Sequence, residues 1–169
     1  LSNMLQIRER VRDNLLAAKP IMHPEALLRA ALSGLTADGI KGGNRFLGTK
    51  TKLSGITLTS LLSPPGVPVA VEMLIEKENG RCILRYTEEE RTSLVMGRWA
   101  GEQCGFAYFS EKAEPLDEWS SGNYDLIQLP SGIIFTVDGD DGKNLYSLFA
   151  AIEGRRIARH FVPDYFDPQ

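Results

Sequence analysis

Cys104 is the residue whose type invites the sharpest chemistry. A cysteine sulfur becomes a nucleophile when a histidine takes its proton and a third group orients the imidazole. His160 and Asp164 follow Cys104 along the chain in that order, so the three define a candidate cysteine-dependent hydrolase or transferase. The competing fate of such a cysteine is burial as a small apolar side chain. Cys82 is the only other cysteine. No CxxC pair or Cys/His cluster suggests zinc, and two free thiols favour a reducing cytoplasm.

Two basic groups could hold an anion. Lys41, Arg45, Lys50 and Lys52 stand among Gly39, Gly42, Gly43 and Gly48 with no acid between 41 and 52. Gly43-x4-Gly48-Thr49-Lys50-Thr51 approximates a phosphate-binding loop, but Thr49 displaces the lysine from its place directly after the second glycine. A looser phosphate site of amides and cations is the milder reading. Arg155, Arg156 and Arg159 form the second group, either an anion clamp or a complement to a helix C-terminus. Asp138-Gly139-Asp140-Asp141-Gly142 lacks the downstream glutamate of a calcium loop, and its glycine comes one residue early. It reads as a turn, and neither metal nor cofactor is expected.

The charge is unevenly divided. Residues 1–60 carry nine Lys/Arg against four Asp/Glu, whereas 102–141 carries nine acids and only Lys112. Within that acidic stretch stand Trp119 and Tyr124, beside Glu114, Asp117 and Glu118. Aromatic anchors ringed by charge suit a protein interface, with burial at the centre and steering at the rim. The expected partner is a protein with a basic surface. A sequence pI near 5.5 argues against nucleic acid. With no intact catalytic motif, the preferred reading is a non-enzymatic cytoplasmic binding module: an immunity-like protein, a chaperone or an adaptor.

The elements that must position these residues follow from periodicity. Met4 to Ala18 has an apolar stripe and predicts a helix that Lys19-Pro20 ends. Pro24 to Leu35 predicts a second, with Gly34 as its cap. Thr36 to Ser54 reads as a long mobile surface loop. Ile56 to Leu62 alternates as a strand. Val67 to Lys77 and Arg81 to Tyr86 predict a hairpin through Asn79-Gly80. Thr87-Glu88-Glu89-Glu90 matches a capping box and predicts a helix to about Trp99. A strand over Cys104 to Ser110, a hairpin over Asp125 to Val137, and a helix from Leu145 to about Gly154 complete the order. Arg155 to Phe161 continues as helix or strand.

At 169 residues this amounts to one domain. The expected class is α+β, a mostly antiparallel sheet of five or six strands with N- and C-terminal helices packed on it. No apolar run approaches the roughly 20 residues of a membrane-spanning helix, and the N-terminus runs into Arg8-Glu9-Arg10 without the apolar region of a secretory signal.

Overall fold

Asn79 and Gly80 both adopt positive φ, 50° and 70°. That geometry turns a two-residue hairpin with the twist its strands require. The computed structural model describes residues 23–112, 114–120 and 127–158, and of Thr92 the backbone alone. Around that hairpin it shows a β protein, where an α+β arrangement with terminal helices was expected. One helix, α1 (Pro24–Ser33), precedes eleven strands among the described residues. These are β1 (Leu35–Thr36), β2 (Leu47–Gly48), β3 (Lys52–Thr57), β4 (Val69–Glu78), β5 (Arg81–Glu88) and β6 (Thr92–Ala100), then β7 (Gln103–Phe109), β8 (Pro115–Leu116), β9 (Trp119–Ser120), β10 (Gly132–Asp138) and β11 (Asn144–Ala151). The stretch Met4 to Ala18 lies outside the described residues, as do Tyr124, Arg159, His160 and Asp164.

The strands form two antiparallel sheets. One runs β6-β5-β4-β3-β2-β9 with β1 also paired to β3, and the other runs β11-β10-β7-β8. Two expected helices are strands instead. After Thr87, Glu89 and Glu90 take positive φ in a tight turn, and Leu94 and Met96 are buried at period two. What looks like a capping box is therefore a hairpin turn. In β11, Leu148 and Ala150 are buried while Leu145 and Phe149 are exposed. Leu145 and Phe149 are four apart and apolar, which imitates a helical stripe although both belong to the open side of a sheet.

A single core joins the sheets. Leu53, Met73, Leu84 and Tyr86 from the first cluster with Phe106, Tyr108, Phe135 and Leu148 from the second, and Leu28 and Leu32 of α1 complete the cluster. Ring contacts cross the interface: Trp99 lies 4.9 Å from Phe135, and Phe46 lies 5.9 Å from Tyr108. At one side the Phe106 amide of β7 donates to the Lys50 carbonyl at 2.8 Å. At another, α1 packs against both β11 and β6, the end strands of their sheets.

Cys82 of β5 and Cys104 of β7 are joined as a disulfide across this core. The expectation of free thiols is thus corrected: the residues are 22 apart in sequence, yet sheet packing makes their side chains face one another. Among the described residues, no helix is long and apolar enough to cross a membrane.

Candidate protein-binding surface

The described acids of the stretch 102–141 do not form one surface. Gln103, at the start of β7, pairs with Asp138, while Phe109, at its end, pairs with Pro115. Seven extended residues separate these points by about 20 Å. Glu102, Asp138, Asp140 and Asp141 therefore belong to one end of the four-stranded sheet, and Glu111, Glu114, Asp117 and Glu118 to the other.

The Asp138–Lys143 turn spends its polar groups internally. Asp138 Oδ1 accepts from the Asn144 amide group at 3.0 Å, Asp141 Oδ1 accepts from the Lys143 backbone N–H at 3.1 Å, and Gly142 turns the chain at φ 75°. No three His, Cys, Asp or Glu side chains converge as a metal set among the described residues.

The second acidic group lies on a short strap. β8 pairs with β7 of the four-stranded sheet, and β9 pairs with β2 of the seven-stranded sheet, so the strap spans the two. Its inner anchor is Trp119. The indole is half-buried against the core, and its Nε1 donates to the Gln128 carbonyl at 2.9 Å. Gln128 is fully buried and clamps the opposite loop, accepting from the Asp38 amide at 2.9 Å and donating to the Asp38 carbonyl at 3.1 Å. Asp38 in turn accepts from the amides of Gly39 and Asn44.

Glu114, Asp117 and Glu118 are exposed along the outside of the strap, and Leu116 among them is 44% exposed. Glu111 pairs with Arg156 at 3.4 Å. The expected interface residues are thus separated by role: the carboxylates face water, while Trp119 reaches inward and positions them. Leu116, opposite Tyr108 in the β7–β8 register, is the exposed apolar group of the strap, and the sequence does not mark it because it carries no aromatic ring.

The described members of the expected anion-binding set are dispersed. Lys41 is exposed in the turn after Gly39. Arg45 lines an open cleft of about 490 Å³ with Ser54, Glu72, Thr87 and Glu90 on the outer side of the seven-stranded sheet. Lys52 pairs with Glu72 at 2.9 Å. Lys50 lies against Gly105 on the other sheet.

The glycine pattern near Lys50 has a packing cause. A Cβ at Gly48 would lie 2.3 Å from the Tyr108 ring, so only glycine lets that ring pass. Tyr108 then donates to the Thr49 carbonyl at 2.6 Å, and burial pushes its phenol well up from its ordinary pKa. The Thr49 amide is engaged by the Lys52 carbonyl at 2.7 Å. Arg156 donates through Nε to the Leu129 carbonyl, so its guanidinium is shared between backbone and strap. The Arg155 carbonyl accepts from the Ala37 amide at 2.6 Å.

Cys104 sits in the disulfide with its side chain in the core. A sulfur so bonded offers no thiolate, and reduction would have to precede any nucleophilic role.

Scans against family models, curated proteins and solved structures match nothing to this chain.

Proposed function

We propose that this protein is a non-catalytic protein-binding module that receives a basic partner on the acidic strap. The observation that carries the reading is Leu116, exposed among Glu114, Asp117 and Glu118 on an element tied to both sheets. An apolar group within a ring of one charge sign supplies desolvation at the centre and steering at the rim. Rigid support from Trp119 and Gln128 lowers the ordering cost of binding.

The test is affinity capture from extract of the producing cells, comparing wild type with a Glu114→Lys, Asp117→Lys double variant. A captured protein with a basic surface should be lost from the variant and eluted by raised salt. Identical capture by both proteins contradicts the reading.

The cytoplasmic location expected from the sequence leaned on free thiols, and the Cys82–Cys104 bond removes that support. Such a bond favours a compartment in which disulfides persist. Trapping thiols in intact cells with a maleimide before lysis distinguishes the two: oxidised cysteines stay unlabelled.

A further inference from the structure

The outer side of the four-stranded sheet carries an unusual composition. Phe135, Ile133 and Val137 of β10 are buried, so Gly132, Ile134 and Thr136 face outward. Register places Gly105, Ala107 and Phe109 of β7 on one side of them, and Ser147, Phe149 and Ala151 of β11 on the other. None of these three rows contains a charged side chain.

The centre of this face is built. Phe109 and Phe149 meet edge to face with ring centroids 5.6 Å apart. A Cβ at Gly132 would lie 2.4 Å from the Phe149 ring. The phenyl ring therefore lies across the glycine and covers its backbone, the arrangement by which an aromatic residue compensates a glycine in a sheet. Phe149 nonetheless stays 46% exposed. An Arg29 guanidinium N–H donates to the Phe149 carbonyl, so α1 blocks the edge of β11 at this point. A partner strand cannot simply extend the sheet there. The open face is what remains for contact.

Acidic groups border that face on two sides. Pro115 continues the Phe109–Gly132–Ala151 row, and the carboxylates of Glu114, Asp117 and Glu118 follow along the strap. On the far side, an open groove of about 680 Å³ between α1 and β11 is lined by Phe149 and Ala151 together with Glu25, Arg29 and Glu153. Glu25 is paired with Arg29 at 3.2 Å, while Glu153 is exposed. The cations here are Arg29, which is paired with Glu25, Lys112 beside the strap, and Lys50, whose stem crosses the Gly105 end of the face; Glu114, Asp117, Glu118 and Glu153 leave the borders acidic on balance.

We propose that this face is an apolar floor adjoining the strap site around the β8 edge, and that its occupant is a segment of another protein alternating basic and apolar side chains. The proposal rests on the strap reading and deepens it. Apolar side chains spaced at period two would settle on Phe109, Ile134 and Phe149, while the bases reach the acidic borders. Charge favours a basic segment over a second copy, because two such faces in contact would bring Glu114, Asp117, Glu118 and Glu153 near like charges.

The experiment uses fluorescein-labelled twelve-residue peptides and the full chain, read by anisotropy at physiological salt. One peptide alternates Lys and Leu, the second Lys and Ser, the third Glu and Leu. The Lys/Leu peptide should bind at least tenfold more tightly than the Lys/Ser peptide, and the Glu/Leu peptide should not bind measurably. Phe149→Ser should remove that tenfold advantage and leave Lys/Ser binding unchanged. Ile134→Thr, which keeps the β-branch that suits a strand, should reduce the advantage in a variant that keeps the sheet packed.

Equal binding of the Lys/Leu and Lys/Ser peptides, or an advantage that survives both variants, overturns the apolar floor while the strap reading stands. If Glu114→Lys, Asp117→Lys leaves Lys/Ser binding unchanged, the strap reading itself fails. Equal binding of the Glu/Leu and Lys/Leu peptides overturns the acidic border.

Discussion

The indole N–H of Trp119 points at the carbonyl of Gln128, 2.9 Å away, from a strand that pairs with Gly48. This one contact ties the acidic strap to a buried glutamine, which in turn holds the Asp38 loop. Truncating the indole therefore disturbs three segments at once. Trp119→Ala should destabilise the fold by about 3 kcal/mol, the lower end for a tryptophan that is only half-buried. Trp119→Phe keeps most of the packing and loses the donor, at about 1 kcal/mol. Urea unfolding measures both, and a Trp119→Ala midpoint equal to wild type would mean that the indole does not anchor the strap.

The Cys82–Cys104 bond should be visible as stability. Closing a loop with 22 residues of separation restricts the unfolded chain by about 3 kcal/mol in the chain-entropy account. Unfolding with and without reductant should differ by roughly that amount. A Cys82→Ala, Cys104→Ala double variant should resemble the reduced protein and be insensitive to reductant. Detection of two free thiols in the unreduced, denatured protein would contradict the pairing.

Glu88 gives the fold a pH dependence with a definite sign. The carboxylate is buried at 3% exposure and accepts from Tyr86 Oη at 2.6 Å, Ser60 Oγ at 2.7 Å, Ser63 Oγ at 2.9 Å and the Leu61 and Leu62 amides. Burial pushes its pKa up, but the hydrogen bonds from Tyr86, Ser60, Ser63 and Leu62 outweigh that and hold it below the ordinary 4.5. A carboxylate with a lowered folded pKa contributes stability that is fully present above its unfolded pKa. That contribution is lost as pH falls through the folded value.

Glu88→Gln should therefore cost about 2 kcal/mol at neutral pH, since the amide cannot satisfy the same set of donors. The gap between variant and wild type should narrow as pH drops below about 4.5. Thermal melts across pH 3 to 7 read this directly, and a constant gap contradicts the role given to Glu88.

Local chemistry in this chain was readable from sequence, while long-range placement was not. Asn79-Gly80 declared its hairpin because few other dipeptides accept two positive φ values. Pro24 and Gly34 marked the ends of α1 for equally local reasons. β6 reads as a helix because Thr87-Glu88-Glu89-Glu90 imitates a capping box, and β11 because an exposed apolar residue and a buried one contribute equally to a periodicity count. Leu145 and Phe149 belong to the open side of a sheet, not to a buried helical stripe. The acids between 102 and 141 could be counted, but β7 carries the described ones to opposite ends of the sheet. Cys82 and Cys104 become neighbours only through the packing of two sheets, which no spacing along the chain encodes.

The binding reading is tested most directly by placing a photo-crosslinking amino acid at Leu116 in the producing cells, with Val67, 54% exposed, as the control position. Illumination should join position 116 to a discrete partner with a basic surface, and position 67 should give no such adduct. Adducts that are absent from 116, or identical from 116 and 67, would contradict a docking site on the strap.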